Sequence, residues 1–217
     1  MRIVTNRQQY LLIGIVLLWC VTLLAYWRLR TADPLAVGML WNLFLAVLPL
    51  GFSAAFRGAL ARQSWVLSGL AFGGWLLFFP NAPYVMTDLI HLHPRSNIAL
   101  WYLLATLLSC GGTGVWLGYL SLGEVHVAVA TRWGSKVGWA VVGGSLLLSG
   151  FGIYLGRFLR WNSWDVFVHP LSLTKTIVQQ LLNAGPHPHP IPVTLVFGVG
   201  LFLGYLAFGG SDISKKP

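Results

Sequence analysis

Residues 10–27 of the chain read YLLIGIVLLWCVTLLAYW, eighteen consecutive residues without a charged side chain, with arginines on either side of the stretch. A helix needs about 20 mainly apolar residues to cross the roughly 30 Å hydrocarbon core of a bilayer. Five further apolar stretches follow. The sequence therefore predicts six membrane spans, at about residues 10–27, 35–56, 64–79, 98–122, 137–159 and 193–208.

The composition of the chain leaves few side chains for a water-facing surface. Of 217 residues, 56% are hydrophobic and 9% are charged, whereas a soluble domain carries about 25% charged residues. This excludes a soluble globular domain, a disordered chain and, with two cysteines, a disulfide-rich scaffold. We expect an all-α polytopic transmembrane bundle, a single domain over residues 1–217, with Cys20 and Cys110 as buried free thiols.

The basic residues predict how the chain is oriented. The formal net charge is +9, but the 14 Lys and Arg are scattered between the spans. They form no stripe for nucleic acid, so membrane lipids are the expected partners. Six spans place both termini on one side. Eight Lys and Arg on that side against six on the other favour cytoplasmic termini.

Glycine is abundant inside the spans, and several glycines have the four-residue spacing that lets helix backbones approach closely in lipid. This spacing predicts one compact bundle. The pairs are Gly69/Gly73, Gly114/Gly118, Gly152/Gly156 and Gly200/Gly204.

The third span is short. It has about 16 residues before Pro80, or about 24 Å as a helix. Pro80 and Pro83 interrupt it, and Asn81 between them is suited to cap a new helix. We predict a re-entrant or interfacial segment near residues 80–93.

Polar side chains concentrate in that segment. Tyr84, Asp88, His91 and Arg95 follow spacings of four, three and four, which is one face of an α-helix. Ionisable groups at membrane depth are costly and normally face a cavity or a partner. The segment is therefore the first candidate for a functional site.

The end of the fifth span carries a second polar cluster, formed by Arg157, Arg160, Asn162, Trp164 and Asp165. With six spans, the third and fifth loops emerge on the same side of the membrane. We therefore expect the Asp88 and Asp165 clusters to meet in one extracytoplasmic pocket. The alternative is structural, with arginines reaching toward headgroups and Asp165 paired to one of them.

The remaining loops suggest less. Leu171, Thr174, Val178 and Leu182 have helical spacing and predict a short interfacial helix over residues 171–182. The proline-rich residues 183–192 predict an extended loop. Glu124 and His126, just after the fourth span, are expected at a solvated loop edge.

The predicted pocket permits three functional hypotheses besides a purely structural role. The first is binding of an anionic group of a lipid or lipid-linked molecule, with forked hydrogen bonds from the arginines. The residues assigned to this site are Asn81, Tyr84, Asp88, His91, Arg157, Arg160, Asn162, Trp164 and Asp165. An enzymatic version would use His91, oriented by Asp88, as a base; whether the protein is an enzyme stays open.

The second hypothesis is a metal-dependent enzyme, with Asp88, His91 and His93 as candidate ligands. The third is an ion pathway through Asp88, His91, Glu124 and His126. No cofactor is predicted.

Two stretches resemble signature sequences of a bacterial membrane family, domain of unknown function 1361. They read FPNAPYVMTDLIHL at residues 79–92 and GIYLGRFLRWNSWD at residues 152–165. The resemblance extends over about residues 35–210 and implies a multi-pass protein of the bacterial cytoplasmic membrane. It implies no reaction.

Overall fold

The computed structural model describes residues 7–94, 97–182 and 188–208, and these residues are predominantly helical. The predicted all-α architecture is confirmed. In chain order the helices are α1 (Arg7–Thr31), α2 (Pro34–Ala61), α3 (Trp65–Phe78), α4 (Asn81–Tyr84), a 3-10 helix (Val85–His91), α5 (Leu100–Trp133), α6 (Ser135–Phe158), α7 (Asp165–Val168), α8 (Pro170–Leu182) and α9 (Pro190–Ala207).

Six helical stretches in the described part are long and apolar enough to cross a membrane, which confirms the predicted number of spans. They are α1, α2, α5, α6, α9 and the run Trp65–His91, which joins α3, α4 and the 3-10 helix. Large apolar side chains are exposed on these helices, Val66 and Val196 among them. Such surfaces suit lipid, and the chain is a multi-pass membrane protein.

The first three spans are joined by very short turns, so consecutive helices pack side by side. Asp33 precedes α2, and its carboxylate accepts a hydrogen bond from the Leu35 N–H at 2.9 Å. Pro34 then occupies the first helical turn, where its missing N–H is harmless. Ala32 and Gln63, with φ of 54° and 55°, reverse the chain after α1 and α2.

α5 is longer than predicted. The fourth span was expected to end at residue 122, yet the helix continues to Trp133, giving 34 residues, or about 51 Å. The predicted solvated edge at Glu124 and His126 is wrong, because both side chains are buried in this helix. A charged residue does not end a span when another helix supplies its partner.

The chain forms two compact units, Met1–Ala128 and Val129–Pro217. In unit 1, the buried core joins α1, α2, α4 and α5, with Trp27, Met39, Ala82 and Leu107 among its members. In unit 2, α6 packs along α9. The sequence prediction of a single domain stays a prediction.

The glycine pairs differ in what they do. A Cβ on Gly114 would overlap the Ala82 carbonyl oxygen, and one on Gly118 would lie 3.2 Å from the Ala82 Cβ. This pair lets α4 lie directly on α5, so the close backbone approach that the spacing predicted occurs here. Gly69, Gly73 and Gly200, by contrast, have nothing within 4 Å of their Cβ positions, so no close approach occurs there.

In unit 2, the close approach occurs at glycines outside the predicted pairs. A Cβ on Gly150 of α6 would overlap the Thr194 carbonyl oxygen of α9. A Cβ on Gly198 would lie 2.9 Å from a methyl carbon of Leu147. The two backbones therefore meet where neither helix carries a side chain.

The chain between α6 and α9 is partly as expected. The helix predicted over residues 171–182 is confirmed as α8, and its interfacial location stays a prediction. The extended loop predicted to residue 192 is wrong for residues 190–192, because α9 begins at Pro190. His189 caps it, with Nδ1 accepting from the Ile191 N–H at 3.4 Å. Residues 183–187 lie outside the described residues.

Candidate functional site

Asp88 is the most deeply placed of the predicted site residues, with 2% of its surface exposed. It lies in the 3-10 helix, and its Oδ2 accepts a hydrogen bond from Asn42 Nδ2 at 3.2 Å. Asn42 belongs to α2, 46 residues away, and the sequence reasoning missed it. The one available signal was an amide side chain inside an otherwise apolar span.

The segment before Asp88 is shaped by side chains that close the backbone locally. Asn81 was expected to cap a new helix, but its Nδ2 instead donates to the Phe78 carbonyl at 3.0 Å, at the end of α3. Thr87 Oγ1 donates to the Tyr84 carbonyl at 2.6 Å. Side chains of the segment thus bond to two backbone carbonyls in the part of the chain that the two prolines interrupt.

The predicted one-face arrangement of Tyr84, Asp88 and His91 is wrong in its geometry. Residues 85–91 form a 3-10 helix, with three residues per turn, so Asp88 and His91 share an edge and Tyr84 does not. Tyr84 and His91 are half-buried, and His93 is exposed beyond the helix end. Arg95 lies outside the described residues.

The second predicted cluster lies in unit 2, where α6 ends. We call residues 157–165 the arginine corner. Arg157 is half-buried in the last turn of α6, and Arg160 is exposed with a φ of 58°. The Trp161 N–H donates to the Leu155 carbonyl at 3.1 Å and closes the turn.

Asp165 forms hydrogen bonds within the arginine corner. Its Oδ2 accepts from the Asn162 backbone N–H at 2.7 Å and from Asn162 Nδ2 at 3.4 Å. The alternative that Asp165 forms an ion pair with Arg157 or Arg160 stays a prediction. The carboxylate closes the turn that precedes α7, the helix that begins at Asp165.

The two predicted clusters belong to different units, Asp88 to unit 1 and Asp165 to unit 2. Their meeting in one pocket stays a prediction. Within the described residues, no group of three His, Cys, Asp or Glu is arranged to hold a metal ion.

A third polar cluster, which sequence reasoning missed, surrounds Glu124 in unit 1. Glu124 is 1% exposed; its Oε1 lies 2.8 Å from Arg57 Nη1, and its Oε2 accepts from Ser53 Oγ at 2.8 Å. Ser53 and Arg57 both come from α2, four residues apart. Close by on α5, Ser121 Oγ accepts from Trp75 Nε1 at 3.3 Å.

The two buried carboxylates of unit 1 thus face one side of α2. Asn42 and Ser53, which bond Asp88 and Glu124, are eleven residues apart, three helical turns along the same face. The separation along the helix axis is about 16 Å. The signal in the sequence was the recurrence of polar residues at 42, 53 and 57 in an apolar span.

Comparison with known proteins identifies the family to which the chain belongs. A search of curated proteins found no match, and a search of solved structures found none either. The sequence model of one family, described as a protein of unknown function (DUF1361), matches residues 41–204, most of the chain and all three polar clusters. The chain therefore belongs to the DUF1361 family of proteins of unknown function.

Proposed function

We propose that this multi-pass membrane protein binds an anionic group of a lipid or lipid-linked molecule at the arginine corner. The observation that carries the proposal is the clustering of two guanidinium side chains at the end of α6. Arg157 is half-buried in the last turn of α6, and Arg160 is exposed three residues later. With two arginines and one aspartate, residues 157–165 carry a net positive charge.

The surroundings of the corner suit a headgroup rather than a soluble anion. Trp161 and Trp164 are half-buried within it, and tryptophan is enriched at membrane interfaces. Directly after it, Phe167 and Leu171 are 75% and 85% exposed. An apolar surface beside guanidinium groups matches the two halves of an amphipathic anion.

The proposed site has a sharp test in a variant that should keep its fold. Arg160 has the left-handed conformation that glycine adopts freely, so Arg160→Gly removes the charge and relieves the backbone. Native mass spectrometry of the detergent-purified wild type, Arg160→Gly and Arg157→Gln would detect bound lipid. We expect a discrete bound mass in the wild type and a roughly ten- to hundredfold weaker affinity in each variant.

The matched control is Arg62→Gln, which removes one exposed arginine after α2. It should retain the bound mass. Equal binding by all four proteins, or the same spread of bulk lipid on each, would refute the proposal and favour a structural role. Asp88→Asn, run in parallel, tests the prediction that the Asp88 segment serves the same ligand.

A second candidate function, distinct from lipid binding, is an ion pathway through unit 1. It is supported by the burial of Asp88 and Glu124 against a single face of α2. Intramembrane carboxylates are frequent elements of proton relays. Proteoliposomes with an internal pH dye should then acidify under an imposed gradient, and Asp88→Asn and Glu124→Gln should each abolish the flux.

The control for the pathway is Asp165→Asn, an equivalent acid-to-amide change at the arginine corner. Flux that survives both unit 1 substitutions, or that no protein shows, would exclude this candidate. Loss of flux in the control alone would exclude it as well.

A further inference from the structure

We propose that Cys20 and Cys110 form a redox-active thiol pair, which a hydroperoxide converts into a disulfide joining α1 to α5. They are the two cysteines of the 217-residue chain, and ninety residues separate them. The fold nevertheless brings them together. This inference concerns unit 1 alone and does not depend on the proposed lipid site.

The placement follows from the packing of α1 on α5. Cys20 Sγ lies 3.3 Å from Thr113 Oγ1, and Thr113 is three residues after Cys110, on the same face of α5. Ser109 and Thr113, which lie one residue before and three residues after Cys110, contact Trp19 and Cys20 of α1, so Cys110 faces the same turn of α1 as these residues do. Both cysteine side chains have no exposed surface and belong to the core of unit 1.

The contacts around the pair set the register of the two helices. Trp19 Nε1 donates to Ser109 Oγ at 3.4 Å, and these residues directly precede the two cysteines. One turn further along α1, the Leu23 carbonyl accepts from Tyr102 at 3.0 Å. A disulfide requires its two cysteines to be held at short range, and these contacts hold the Cys20 turn of α1 against the Cys110 turn of α5.

The chemistry balances with one hydroperoxide. One sulfur attacks a peroxide oxygen and the O–O bond breaks, which leaves a sulfenic acid and one water. The second sulfur attacks the sulfenic sulfur, the S–S bond forms, and the second water leaves. The two thiols lose two electrons, and hydrogen peroxide gains them. Because both thiols are buried, a small uncharged oxidant reaches them and a large charged disulfide does not.

The test uses the full chain, purified in detergent, fully reduced and then exposed to hydrogen peroxide or to oxidised glutathione. After denaturation, free thiols are alkylated and the intact mass is measured. With peroxide, we expect a loss of two hydrogens per chain, no alkylation, and full reversal by dithiothreitol. With two cysteines in the chain, an intramolecular disulfide has a single possible assignment. Glutathione should leave both thiols alkylatable.

Two controls separate this bond from other oxidation. Cys20→Ser and Cys110→Ser each keep one thiol and should form no intramolecular bond. The cross-linked wild type should also unfold at a higher temperature than the reduced protein, since the bond closes a ninety-residue loop. Two alkylatable thiols after peroxide, addition of oxygen without loss of hydrogens, or bonds only between chains would overturn the proposal. Efficient oxidation by glutathione would overturn the claim of selective access.

Discussion

At the scale of the residue, the Glu124 carboxylate contacts two side chains of α2, those of Arg57 and Ser53. Glu124 is 1% exposed and accepts from Ser53, whereas 37% of the Arg57 side chain is exposed. The pair therefore joins a buried carboxylate to a guanidinium on a partly exposed side chain. Removing the arginine leaves the carboxylate buried without this partner.

We therefore predict that Arg57→Met destabilises the protein more than Glu124→Gln does. The first change leaves a buried charge, at a cost of roughly 2 kcal/mol, below the value for a fully buried pair because Arg57 is partly exposed. The second leaves a neutral amide that still hydrogen-bonds. The measurement is thermal unfolding in detergent of both single variants and the double variant.

The double variant decides the interpretation. If the pair interacts, its loss of stability is smaller than the sum of the two single losses. Strict additivity would mean that Arg57 and Glu124 contribute independently.

The Asn42–Asp88 hydrogen bond makes a second prediction at this scale. Asn42→Leu removes a donor to a buried carboxylate, and hydrogen bonds to charged groups contribute about 1.5–3 kcal/mol. We expect a clear fall in the unfolding temperature. Asn162→Leu should have a smaller effect, because the Asn162 backbone N–H still donates to Asp165. An equal effect of the two changes would contradict this account.

At the scale of the element, glycine decides which helices touch. α4 and the 3-10 helix lie against α5 because Gly111, Gly114 and Gly118 present no side chain to them. A Cβ on Gly111 would lie 3.0 Å from the backbone of Met86, and one on Gly114 would meet Ala82. The interrupted part of the third span therefore packs against glycines of α5.

We predict that Gly114→Ala lowers stability by about 1–3 kcal/mol, because overpacking against a backbone oxygen forces α4 away from α5. The matched control is Gly73→Ala in α3, with nothing within 4 Å of its Cβ position. That change should be neutral or stabilising by up to about 1 kcal/mol, from helix propensity alone. Thermal unfolding of the two variants would show whether Gly114→Ala lowers the stability and Gly73→Ala does not.

Unit 2 offers the same comparison within one helix. Gly150→Ala should weaken the packing of α6 on α9, since the added methyl group meets the Thr194 carbonyl. Gly144→Ala in the same helix has open space around it. We expect faster amide exchange in α9 with the first change and unchanged exchange with the second. Identical exchange in both would mean that α6 and α9 are not held by this contact.

At the scale of the whole molecule, six candidate membrane spans predict that both termini lie on the same side of the membrane. The excess of basic residues favours cytoplasmic termini. A reporter that fluoresces only in the cytoplasm should therefore be fluorescent when it is fused to either end of the chain. A fluorescent fusion at one end alone would mean an odd number of spans, and the third and fifth loops would then no longer be expected on the same side of the membrane.

The sequence alone determined the class and most of the element boundaries. Apolar length marks a span whatever its neighbours are, because each transmembrane helix satisfies its own backbone hydrogen bonds. The stop at Pro80 was likewise readable, since proline acts on its own turn. The glycine spacing in α5 correctly indicated a close approach, but spacing alone did not distinguish Gly114 from Gly73.

Only the tertiary structure decided which polar groups meet. Glu124 continues α5 instead of ending it because Arg57 and Ser53, about seventy residues earlier, supply its partners. Asp88 bonds to Asn42, and Cys20 contacts Thr113 in the turn of α5 that carries Cys110, because helices distant in sequence pack together. A local pattern predicts a helix because its hydrogen bonds are local; the partner of a buried charge or thiol depends on helix packing, which no single stretch contains.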